Sequence, residues 1–163
     1  MVNISKKAKI TIIAIVAIAA ILAVSIPFAS AQATNNAVSN IKTLNAQGNI
    51  YQTIDSNTIK YYPATMTLTV QSTSTSGPVK LFDVTSGTLV ANGVTYTFTN
   101  GNGGVFTGRH VVLLKAQGTS PDGQAVTLKL AGQYSWFGGK TLGIAAKLQT
   151  EDANYTLLMK API

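Results

Sequence analysis

The chain has 163 residues, a formal net charge of +7 and no cysteine. The missing cysteine excludes disulfide frameworks, thiolate metal sites and thiol catalysis, so the core alone must hold the fold. Charged residues make up 10% of the chain, against about a quarter in an average soluble domain. From Lys42 to Lys160 the cations are scattered singly rather than in runs, which argues against a nucleic-acid partner.

The N-terminus reads as an export signal. Lys6, Lys7 and Lys9 stand in a short stretch without an acid, and an apolar run follows from Ile10 to Ile26. Pro27 breaks that run, and Ala29-Ser30-Ala31 precedes Gln32. A positive segment, an apolar segment and small residues two apart form a secretory leader, with cleavage expected between Ala31 and Gln32. The apolar run is also about long enough to cross a bilayer as a short helix. An uncleaved membrane anchor with its lysines inside is therefore the alternative, and it is the only membrane contact expected. Residues 1–31 are assigned to the leader, 32–40 to an Ala/Asn/Ser/Thr-rich flexible arm and 41–163 to a single β-domain. With the leader removed, nine cations remain against five acids, about +4.

Beyond the arm, apolar and polar residues alternate, as they do in a strand that buries one face. Strands are expected around Ile41–Gln52 and Ile59–Gln71, the latter with Ala64, Met66, Leu68 and Val70 on one face. The Ser/Thr-rich stretch Ser72 to Pro78 joins them to a meander running from Val79 to Lys160. Val94, Tyr96 and Phe98 alternate with threonines in one of its strands. Val126, Leu128, Leu130, Tyr134 and Trp136 line one face of another. Asn92-Gly93 marks a two-residue hairpin, where both central residues take positive φ. Further turns are expected at Asn100 to Gly104, Pro121-Asp122-Gly123, Gly138-Gly139 and Glu151 to Asn154. In the strand expected over Phe106 to Gln117, Val111 and Leu113 as well as Val112 and Leu114 are apolar. Such a strand should be covered on both faces, by a second sheet and by the N-terminal segment, an apolar ligand or another copy. About eight antiparallel strands are expected, forming a β-sandwich or a small barrel after an N-terminal apolar leader helix.

Gly87-Thr88-Leu89, Asn92 to Tyr96, Tyr134 to Gly139 and Leu157 to Lys160 together resemble a group of uncharacterised exported β-domain proteins of ammonia-oxidising archaea. The resemblance covers roughly the C-terminal half of the chain. It implies export and a β-domain, and it carries no assigned activity.

No set of reactive residues stands out. His110 is the single histidine, and a zinc or copper site needs further nitrogen or sulfur donors. Strand parity places it with Val112 and Leu114, as a partly buried structural residue. Asp122, Glu151 and Asp152 fall in expected turns, where Asp serves the turn itself. Asp55 precedes Ser56-Asn57 and reads the same way, and Asp83 pairs with Lys80 or marks a bulge. Ser39-Asn40-Ile41-Lys42 matches a Ser-x-x-Lys nucleophile motif without its partner motifs or its helix. Gly139-Lys140-Thr141 imitates the end of a phosphate loop, but Tyr134 stands where the first glycine belongs. No cofactor or metal is expected.

Two modest features remain. Asn154-Tyr155-Thr156 is a glycosylation sequon. Tyr134 and Trp136 share a strand face, where exposed rings would stack on a sugar and buried ones would form core. The expected role is that of a secreted or extracytoplasmic, non-catalytic structural or binding module, with self-association or a cell-surface partner. A carrier of a small apolar ligand inside a barrel is the alternative, and a hydrolase using His110 is the remote one.

Overall fold

The computed structural model describes residues 41–55, 58–135 and 140–162. The leader with Ala29, Ala31 and Gln32, the arm, Trp136 and the Gly138-Gly139 turn all lie outside the described residues. The strands run in chain order: β1 (Ile41–Asp55), β2 (Thr58–Ser76), β3 (Val79–Ala91), β4 (Val94–Phe106), β5 (Val111–Thr119), β6 (Ala125–Ser135), β7 (Thr141–Gln149) and β8 (Asn154–Pro162). Each pairs antiparallel with its neighbour in sequence, and β8 pairs back onto β1, so the sheet closes as a barrel. Of the two architectures expected, this is the barrel.

The stagger of the barrel can be followed residue by residue. A row of register partners leaves β1 at Tyr51 and crosses Thr156, Lys147, Lys129, Lys115, Asn102, Asp83 and Gln71. It returns to β1 at Ile41. A closed sheet with that offset must tilt its strands steeply, within the range of about 35–45° common to barrels.

Alternation decides which side chains enter. Leu68, Leu89, Phe98, Leu128, Leu130, Leu148 and Leu157 point inward and have no exposed surface. Threonines 65, 67, 88, 95 and 97 on the same strands point outward and are exposed. On β2, β3 and β4 the wall is thus apolar inside and lined with threonine outside.

Bulges keep the inner face apolar where simple alternation would fail. Thr85 is an extra residue on β3, opposite the step from Thr69 to Val70. It lets Phe82 and Val84 face inward before it, and Leu89 and Ala91 after it. On β4 the extra residue is Thr99, opposite the step from Gly118 to Gln117.

That second bulge corrects the turn expected at Asn100 to Gly104, which is continuous strand. With the phase shifted, Gly101 and Gly103 face inward, where a Cβ on Gly103 would lie 2.5 Å from the Phe82 ring and from the Leu113 carbonyl oxygen. These glycines admit a neighbouring strand and an aromatic ring rather than a turn. The chain instead turns at 107–110, inside the strand expected over Phe106 to Gln117. The other expected turns within the described residues are present. Asn92 and Gly93 have φ of 51° and 76°, as a two-residue hairpin requires.

β5 is not sandwiched between two sheets, because the single sheet closes on itself. Val112 and Leu114 face the interior and are buried, while Val111 and Leu113 face outward and are half-buried.

Candidate functional site

The interior offers packing rather than chemistry. Its buried residues are all hydrophobic, and no buried polar or charged residue occurs among the described residues. The inward leucines and Phe98 have no exposed surface, so at their level nothing the size of a water molecule sits against them.

The strand connections place three of the acids, Asp122, Glu151 and Asp152, at the end opposite the histidine, while Asp83 lies on the outer wall of β3. One end carries the Asn92-Gly93 turn and the connections 120–124 and 150–153; the other carries 77–78 and 107–110. His110 stands at the second end with φ 54°. Its ring meets Tyr134 edge-on, with centroids 6.5 Å apart, and its carbonyl accepts a hydrogen bond of 3.0 Å from the Tyr134 backbone N–H. Asp122, Glu151 and Asp152 lie at the first end. Strands β5, β6 and β7 of nine to eleven residues separate the two, about 30 Å of chain. No group of three potential metal ligands occurs among the described residues. Tyr134 is half-buried on the inner side of β6, opposite Leu142, with its ring against that of His110. Asn154 is exposed at the start of β8.

The acidic turns are built for turning. The Ser120 hydroxyl donates to the Asp122 carboxylate and accepts from the Gln124 backbone N–H at 3.1 Å. That hydroxyl holds the Asp122 carboxyl below its ordinary range. At the same end three tyrosines, Tyr62, Tyr96 and Tyr155, follow the inward parity of their strands. Tyr96 is the most enclosed, at 8% exposure. Burial first, then the nearby Tyr155 and Asp122, raise its phenol above the ordinary value.

The distinctive chemistry is on the outer wall. Lys115 pairs in register with Lys129, and Lys129 with Lys147, so three cations from three strands stand in one row. Lys115 is exposed, and Lys129 and Lys147 are half-buried. Asn102 flanks the row on one side and Thr156 on the other. Beyond Thr156 the row reaches Tyr51 and then Tyr61. Those two rings lie 6.1 Å apart and 35° from parallel, and Tyr61 is 67% exposed. The neighbouring row toward the first end is Gln117, Thr127, Gln149 and Asn154, all amides and a hydroxyl. The neighbouring row toward the other end is Leu113, Ala131, Ala145 and Leu158.

None of this band is visible along the chain. The lysines are far apart in sequence, and only the strand register brings them together. Their outward parity on three alternating strands was the one available signal. Closure of the sheet gives every strand a neighbour on both sides, which shortens the open edges on which strand addition would rest. Among the described residues, 41–46 of β1 run past the β8 register at Gln47, 58–63 and 72–76 of β2 run past the registers with β3 and β1, and 94–96 of β4 run past the register with β5. No family model matches the chain, and no curated protein or solved structure matches it.

Proposed function

We propose that this chain is a non-catalytic binding module of the extracytoplasmic space, which holds its partner on the outside of the barrel and uses the inside as core. The observation that carries this reading is the Lys115–Lys129–Lys147 row. Like charges placed directly opposite on neighbouring strands destabilise a sheet. A row of three is a cost that folding does not ask for, and an anionic partner removes it. The leader motif supports the location, and a cleaved form would diffuse while a retained one would be tethered at the cell surface.

Mass spectrometry of the N-terminus of the native protein, with protease treatment of intact cells, tests the location. A chain starting at Gln32, or one retaining Met1 but cut by external protease, is expected. A chain retaining Met1 and protected until lysis would overturn it.

The carrier reading draws on one observation, the three tyrosines that follow inward parity at one mouth of an otherwise apolar interior. Saturable, one-to-one uptake of a fluorescent fatty acid would favour it over a filled core.

A further inference from the structure

We infer that the outer band from Tyr61 to Lys115 binds an anionic polysaccharide, laid obliquely across the strands with a sugar ring on the tyrosine pair and its acidic groups on the lysines. The inference rests on the reading of the barrel as an outer-surface binding module and names the class of its ligand.

The band is long and continuous. Tyr61, Tyr51, Thr156, Lys147, Lys129 and Lys115 are successive register partners on β2, β1, β8, β7, β6 and β5. Neighbouring strands lie about 4.8 Å apart, so the six positions extend over roughly 24 Å. The two ends differ in chemistry. Tyr51 and Tyr61 are tilted, not stacked face to face, which leaves ring faces for the apolar side of a sugar. The lysines supply three ammonium groups for carboxylate, sulfate or phosphate substituents.

Three features favour this ligand over other polyanions. First, the row beside the lysines consists of Gln117, Thr127, Gln149 and Asn154, donors and acceptors suited to sugar hydroxyls. Second, the row ends beyond Lys115 in Asn102 and then Asp83. Asp83 stops the cationic stretch there, so acidic groups are met only at the three lysines and the rest of the contact falls to the tyrosines and amides, which suit a sugar. Third, the band occupies six of the eight strands, more than half of the girth. A flat lipid surface touches one side of a convex wall and cannot reach both the tyrosines and the lysines.

The test measures binding of the full chain to polygalacturonate, a uronate polymer, by titration calorimetry in low and moderate salt. Neutral dextran, a single-stranded oligothymidylate and vesicles containing phosphatidylglycerol are run in parallel. One variant neutralises the row (Lys115→Gln, Lys129→Gln and Lys147→Gln together). A control variant neutralises three exposed lysines outside it (Lys42→Gln, Lys80→Gln and Lys140→Gln). Tyr61→Ala tests the platform and, being exposed, leaves the fold intact by circular dichroism.

Expected is saturable binding of polygalacturonate and none of dextran. The row variant should weaken it at least tenfold and flatten its salt dependence. Tyr61→Ala should weaken it about threefold, and the control variant should leave it unchanged. Row-dependent binding of the oligonucleotide or the vesicles in preference to polygalacturonate would overturn the sugar ligand while leaving the outer-surface reading standing. Equal losses from the row and control variants, or no binding of any probe, would overturn both.

Discussion

Lys115 and Lys129 are direct register partners across β5 and β6, which puts their Cβ atoms roughly 4.5–5.5 Å apart with like charges at their tips. Lys129 meets a second lysine, Lys147, on its other side. Its removal should therefore stabilise the barrel. Lys129→Thr keeps a β-favouring residue on the outer face, and it is expected to raise stability by about 0.5–1 kcal/mol at low ionic strength. The gain should shrink as salt screens the row. Urea midpoints at two salt concentrations read both effects; a loss of stability at low salt would mean that the ammonium groups are held apart by contacts of their own.

Much of the architecture was legible because an antiparallel barrel repeats one local rule. Alternation in Ala64 to Val70 and Val94 to Phe98 marks inner and outer faces before any partner is known. Asn92-Gly93 fixes a hairpin by backbone chemistry alone. The failures share a cause, since bulges and close approaches depend on the neighbouring strand. Nothing local separates Asn100 to Gly104 from a glycine-rich turn; the distinction is the Thr99 bulge and the Phe82 ring that Gly103 faces. The lysine row was illegible for the same reason. Lys115, Lys129 and Lys147 look scattered until the register aligns them, and the sheet could slide by two residues without disturbing any inner face.

Gly118 tests the claim that inward glycines admit the neighbouring strand. A Cβ there would sit within the carbonyl oxygen of Thr97 on β4. Gly118→Ala must push β4 and β5 apart, and a destabilisation of about 2–4 kcal/mol is expected, in the range of severe packing defects. Gly108 is the matched comparison, because nothing lies within 4 Å of the position its Cβ would take and its φ is not in the left-handed region. Gly108→Ala should be neutral or stabilising by up to about 1 kcal/mol, through the unfolded chain. Chemical denaturation of both variants makes the comparison. Similar costs at the two positions would remove the close-approach explanation.

Phe98 is the largest of the inward side chains without exposed surface, and it stands immediately before the Thr99 bulge. Phe98→Ala should cost about 3–5 kcal/mol, since the closed wall has little freedom to collapse onto the void. If the interior is a filled core, the resulting cavity should take up benzene, as dry apolar cavities do. Benzene should then raise the melting temperature of the variant and leave that of the parent unchanged. Stabilisation of the parent by benzene would instead reveal a void already present, and would favour a carrier.

Tyr96 gives the barrel an alkaline limit. Burial, and after it Tyr155 and Asp122, raise its phenol above the ordinary value, so the fold accommodates the neutral form and resists the phenolate. A group whose folded pKa exceeds its unfolded one stabilises fully below the unfolded value, about 10 for tyrosine. That contribution is lost as pH rises through the folded value, because the unfolded chain ionises first. Tyr96→Phe removes this titration while keeping the ring. Groups remote from Tyr96 act on both proteins alike and cancel in the difference. Urea midpoints between pH 8 and pH 11 should therefore show the parent losing stability faster than the variant only above pH 10. Parallel curves throughout would mean that the Tyr96 hydroxyl reaches water at the mouth of the barrel.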